Sequence, residues 1–126
     1  MNPSTAHATE AVALLAAIDA TATVNATGTP VDVTAYEGPM IVVQNVGIVD
    51  DGSITGKIQT GTLENGTDMA DLTGAAFVAV TPANDPNTQR IVIQANACKK
   101  YIRYVGTIVT GGALVSASIV ATKKMT

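Results

Sequence analysis

The chain has 126 residues, 13% of them charged, a formal net charge of −3 and one cysteine. That length is one ordinary domain with enough buried surface for a single continuous core. The sparse charge excludes a disordered acidic tail and a general nucleic-acid binder, and the lone Cys98 excludes an intrachain disulfide.

Val, Ile and Thr together supply 43 residues, a β-branched share that fits a pleated sheet better than a helix. The start resembles a signal peptide only superficially. AVALLAAI is an apolar run followed by Ala20-Thr21-Ala22, but no Lys or Arg precedes it and Glu10 stands where a positive region belongs. No stretch reaches the roughly 18 apolar residues of a membrane span, so the expectation is a chain made in the cytoplasm and not anchored in a membrane.

Residues 1 to 10 lack apolar periodicity and read as an arm; Ala and Leu in Ala11 to Ile18 favour helix, but eight residues are short for one, and the segment is read as a strand or extended arm. The organisation expected is an N-terminal arm or first strand over 1–18 and a single β-sandwich domain over 19–126. Ala20 to Val24 and Val31 to Thr34 alternate apolar with Thr or Asp across a turn-rich link, which predicts two short strands. Tyr36-Glu37-Gly38-Pro39 interrupts the pattern. Met40 to Val46, MIVVQNV, has a largely continuous apolar character and predicts a central strand covered on both faces.

Asp50-Asp51-Gly52-Ser53 marks a turn, after which Ile54 to Thr62 resumes strand spacing with Ile54, Gly56, Ile58 and Thr60 on one face. Leu63 to Gly74 reads as a polar loop. Phe77 to Thr81 and Gln89 to Ala95 are the next predicted strands, split by a turn containing Pro82 and Pro86.

From Lys99 to Thr122, KKYIRYVGTIV and ALVSASIVAT flank Thr110-Gly111-Gly112, and Gly-Gly between β-branched runs predicts a tight hairpin. In the last strand Val115, Ala117, Ile119 and Ala121 share a face. In the preceding one Ile102, Tyr104 and Ile108 oppose Tyr101, Arg103, Val105 and Val109, so both faces make contacts. The fold class expected is all-β, an antiparallel β-sandwich or jelly roll of about eight strands.

Catalytic chemistry has little to work with, so no enzymatic activity, no cofactor and no metal are expected. His7 is the single histidine, which leaves Cys98 and the hydroxyls without the base that a nucleophilic triad needs. Asp50-Asp51 and Glu64, Asn65, Asp68 and Asp71 are oxygen clusters in turns without EF-hand spacing. Lys99, Lys100 and Arg103 form a basic group that a hairpin would bring near Lys123 and Lys124, and this is read as a patch docking on an acidic partner or as edge lysines. Trp is absent and only three Tyr and one Phe occur, which disfavours stacking on nucleic acid or sugar.

Three segments, TATVNATGTPVDVTAYEGPMIVVQNVG, KIQTGTLENGTDMADLTGAAF and KKYIRYVGTIVTGGALVSASIVAT, together resemble a group of small tailed-phage virion structural proteins, over roughly residues 20 to 122. The resemblance lies in a strand and turn leading to a Tyr-Glu-Gly step, a KIQ-like strand with a polar loop, and a basic aromatic strand before the end. KKYIRY departs from the group by placing Ile102 between the aromatic and the arginine, and the Glu64 to Asp71 loop is short. The resemblance implies a capsid decoration, or cement, protein on the outside of the head. It also implies a homo-oligomer whose partner is the major capsid protein or another virion protein, with no nucleic acid and no membrane. The docking residues expected are Lys99, Lys100, Tyr101 and Arg103. A tail, neck or fibre-base component and a host-surface binding module are the alternatives.

Overall fold

The computed structural model describes residues 9 to 21 and 26 to 124, and these form two antiparallel sheets packed face to face. The first sheet runs β1 (Thr9–Thr21), β9 (Gly112–Lys123), β4 (Tyr36–Val49), β7 (Asn87–Gln94). The second places two short pieces, β2 (Ala26–Thr27) and β3 (Val31–Asp32), against β8 (Tyr101–Val109), which pairs with β5 (Ser53–Gly61) and through it with β6 (Ala70–Ala76). Counting β2 and β3 as one interrupted strand, every connection except β5 to β6 passes from one sheet to the other. That is the eight-stranded jelly-roll order, so the broader expectation of a sandwich narrows to this topology.

Strand alternation builds the core. Met40, Val42, Gln44 and Val46 point inward from β4, Ile54 and Ile58 from β5, Ile102 and Tyr104 from β8, and Val115 and Ile119 from β9, all buried. Each fully buried aliphatic side chain of this size stabilises the fold by about 1.5–3 kcal/mol. The inward sets expected for β5, β8 and β9 are the sets observed. In contrast, β4 is covered on one face only. Its outward Ile41 and Val43 are half-buried and Asn45 is exposed, so the apolar run from Met40 to Val43 reflects apolar side chains on the outer surface instead of a second covering layer.

Three other expectations are corrected. The segment around Thr110-Gly111-Gly112 is not a hairpin: β8 pairs with β5, Ser53 opposite Val109 to Gly61 opposite Tyr101, whereas β9 pairs with β1 and β4. Positive φ at Thr110 (63°) and Gly111 (46°) turns the chain across the sandwich, a corner that uses the same residue types as a hairpin. This corner lies against the β4–β5 corner. Asp50 N–H donates to Gly112 O at 2.9 Å, and a Cβ on Gly111 would meet Asp51 backbone atoms at 2.7 and 2.8 Å.

Within the expected loop 63–74, β6 begins at Ala70, and Phe77 to Thr81 contributes only an isolated bridge, Val80 to Ile54. Phe77 and Val80 are buried as plugs, while β6 is a mostly exposed edge strand, so apolar periodicity pointed to the wrong one. The strand expected at Ala20 to Val24 is the end of β1 for Ala20 and Thr21, and residues 22 to 24 lie outside the described residues. Val31 to Thr34 contracts to the two residues of β3. Residues 1 to 8 of the expected arm, His7 included, also lie outside the described residues, whereas Thr9 and Glu10 open β1.

Candidate interaction surface

The four expected docking residues divide between two places. Lys99 and Lys100 sit in the crossover that leads from β7 through a 3-10 turn (Ala95–Ala97) into β8, and both are exposed. The Thr60 hydroxyl clamps this entry to β5. It accepts from Lys99 N–H at 2.7 Å and donates to Tyr101 O at 3.0 Å. Lys100 O accepts from Val33 N–H at 2.9 Å, which ties the β3–β4 crossover alongside, and Lys124 N–H donates to Ala35 O at 2.9 Å.

Between these pinned segments lies a cavity of about 430 Å³ at the end of the sandwich opposite the stacked corners. Its floor is apolar: Val33 and Tyr36 are buried, and Ala95 and Cys98 are half-buried. Lys99, Lys100 and Lys124 line it together with the exposed Glu37. The expected convergence of the terminal lysines on Lys99 thus occurs for Lys124, but by a different route. The end of β9 pairs with the start of β4, Lys123 opposite Tyr36, and no hairpin is involved. Lys123 turns to Glu10 at 2.7 Å, and the Tyr36 hydroxyl donates to the same carboxylate at 3.0 Å. Lys123 and then Tyr36 hold the Glu10 carboxyl below its ordinary range. Burial, followed by the Glu10 hydrogen bond, pushes the Tyr36 hydroxyl up.

Tyr101 and Arg103 lie further along β8 on the outer face of the second sheet. The Lys100 ammonium stands 5.5 Å from the Tyr101 ring centroid. Arg103 Nε donates to Gln59 Oε1 at 2.9 Å, Gln59 Nε2 donates to Asp71 at 2.9 Å, and Lys57 pairs with the same carboxylate at 3.0 Å. Arg103 is therefore part of a cross-strand polar lattice over β8, β5 and β6, separate from the lysine-lined cavity. The outer face of the first sheet has another character: Ala11, Val120, Ile41 and Val92 lie in register across its four strands.

Two further reactive groups, Cys98 and Asp68, are structurally engaged. Burial pushes the Cys98 thiol up, and its Sγ lies 3.5 Å from Gln94 O, which makes a poor nucleophile. Asp68 accepts from Thr62 N–H at 2.8 Å, from the Thr62 hydroxyl and from Leu63 N–H at 3.1 Å, and the Thr62 hydroxyl leads the interactions that pull its carboxyl down to about 2. Among the described residues no group of three or more His, Cys, Asp or Glu is placed to hold a metal ion. None of the described helices is long and apolar enough to cross a membrane.

The cavity floor could not be found by reading along the chain. Val33, Tyr36, Ala95 and Cys98 come from two crossovers about 60 residues apart and share no local pattern. The signals available were the Tyr36-Glu37-Gly38 step and the lysine pairs.

No protein-family model matches the chain, and no curated protein matches it in sequence. Similarity is found among solved structures. The SPBc2 prophage-derived protein YomS aligns over 90% of this chain and 93% of its own, with a TM-score of 0.54 and 13% identity. The infectious bursal disease virus VP2 subviral particle aligns over 91% of this chain with a TM-score of 0.51 and 15% identity, and the structure of the Gx strain of that virus does so at 0.50 and 15%. The chain spans 32% of the length of each of those two viral chains. At these identities the likeness is one of fold, and the fold it identifies is a jelly roll shared with a prophage-derived protein and a viral particle protein.

Proposed function

We propose that this chain is a structural component of a virus particle, a decoration protein that binds the outer surface of a bacteriophage head and stabilises it. The observation that carries the reading is the jelly-roll likeness to a prophage-derived protein over nearly the whole of both chains. The likeness to a viral particle protein and the punctuation shared with small tailed-phage proteins agree with it. The surface suits such a role. It is sparse in charge, carries an apolar row across the outer face of one sheet, and gathers exposed lysines at one end. Contacts that are weak singly become strong when repeated over a lattice.

Docking is assigned to Lys99, Lys100, Tyr101 and Arg103, with the major capsid protein as partner. The test is addition of the purified chain to preformed, undecorated capsids, with copies per particle counted and the particle melting temperature measured. Uptake of hundreds of copies with a raised melting temperature is the expected result. Uptake at a single vertex would move the chain to the neck or tail, and no uptake would remove the head from consideration.

A further inference from the structure

We propose that the cavity between the β3–β4 and β7–β8 crossovers is a binding site for an acidic peptide segment, with an apolar side chain on its floor and carboxylates against Lys99, Lys100 and Lys124.

Charge is the first argument. The chain holds only seven Lys and Arg and is net negative, yet three of the seven surround this one cavity. None of the three makes an ion pair with a described residue, whereas Lys57 is paired with Asp71, Lys123 with Glu10, and Arg103 is bonded to Gln59. Nearby carboxylates are engaged elsewhere: Glu10 with Lys123 and Tyr36, and Asp32 with the Thr34 amide and hydroxyl at 2.8 and 2.7 Å. Among the described residues, Glu37 is the one acidic group in the lining.

Shape and rigidity are the second. The walls are pinned by the Val33, Lys99 and Lys124 backbone bonds, so little order has to be gained on binding. About 430 Å³ lies within the range of small-ligand clefts and accommodates one or two side chains, not a folded surface. The mouth is open at Gly38, where an added Cβ would touch nothing within 4 Å.

The mixture of apolar floor and ammonium rim selects the ligand class. A bare phosphate would leave the apolar floor uncovered, and a nucleobase would call for an exposed aromatic face. Among the described residues the one aromatic ring of the lining is Tyr36, which is buried with its hydroxyl held by Glu10. The proposal rests on the virion reading only for the source of the segment, an acidic loop or terminus of a neighbouring subunit.

The test uses the full chain and a labelled, terminally blocked peptide, Glu-Leu-Glu-Phe-Glu-Glu, beside its all-Gln counterpart, read by fluorescence anisotropy. Saturable binding of the acidic peptide, about tenfold tighter than the Gln peptide and weakened several-fold between about 50 and 200 mM salt, is expected. Lys99→Gln and Lys124→Gln should each weaken it about threefold to tenfold, while the charge-matched control Arg90→Gln on β7 leaves it unchanged. Circular dichroism confirms that each variant is folded. Equal binding of the two peptides, equal loss in Arg90→Gln, or displacement of the peptide by inorganic phosphate or oligothymidylate at comparable concentration would each overturn the proposal. Peptide binding without capsid uptake would leave the site standing and remove the head-decoration reading. Capsid uptake without peptide binding would do the reverse.

Discussion

Gln44 faces the core from the middle of β4, its Oε1 accepting from the Tyr104 hydroxyl while its Nε2 has no partner among the described residues. Gly56 makes room for this pair, since a Cβ there would collide with Gln44 Oε1 and the Tyr104 oxygen. Tyr104→Phe strips the amide of its one partner and should destabilise the fold by about 1–3 kcal/mol. Adding Gln44→Leu removes the stranded amide and should recover much of that loss, and chemical denaturation of the single and double variants checks both. Gly56→Ala overpacks the same point and should cost about 1–3 kcal/mol, read as a lowered melting temperature. Asp68 makes a pH-dependent contribution. Its carboxyl titrates at about 2 in the folded chain against an ordinary 3.8, so the stability it adds is present above the ordinary value and disappears as pH falls through 2. In melts from pH 7 down to pH 2, Asp68→Asn should therefore lie below the parent at neutral pH, with the gap closing at the acid end. Parallel curves would exclude this assignment.

Corners carry the topology at the level of elements. Thr110 is a β-branched residue at φ 63°, a conformation that side chains of its kind rarely adopt. Thr110→Asn should relieve about 1 kcal/mol of strain and move the urea midpoint up with an unchanged slope. Gly111→Ala, facing the Asp51 backbone, should move it down by a larger amount. The same corner marks the boundary of what reading along the chain could tell. Which residues face inward on β5, β8 and β9 follows from alternation, because burial on one side imposes a period of two. Which strands pair does not, because Thr-Gly-Gly is as good a corner as a hairpin and the choice is made by β5, almost 50 residues upstream, offering Ile58 and Gly56 opposite Tyr104 and Gly106. β6 escaped for a related reason: as an edge strand it buries only Ala75 and half of Leu72, too little to print a periodic pattern. The lysine-lined cavity was legible as charge and illegible as shape. Lys99, Lys100 and Lys124 are plain in the sequence, but the floor beneath them exists only after two crossovers meet.

Across the whole molecule, the two sheets present unlike exteriors. One carries the Arg103–Gln59–Asp71–Lys57 lattice and the other the apolar row from Ala11 to Val92, with the lysine cavity at one end of the sandwich. If docking runs through the lysine end, Lys99→Glu with Lys100→Glu should abolish most capsid uptake, while Lys57→Glu on the lattice leaves it within about twofold, since an exposed ion pair contributes little. Sedimentation of capsid mixtures with each variant measures this. The pairing of β1 with β9 has a consequence of another kind. These strands are about 90 residues apart, and β9 is also the neighbour that β4 requires, so a ribosome presents β1 and one side of β4 before their common partner exists. Among the described strands, only β5 and β6 can zip together locally. Refolding should accordingly be slow for a chain of this size, on the order of milliseconds to seconds. During synthesis the unpaired strand edges depend for their solubility on how soon the last strand arrives, which makes expression at low temperature the natural route to material for every experiment above.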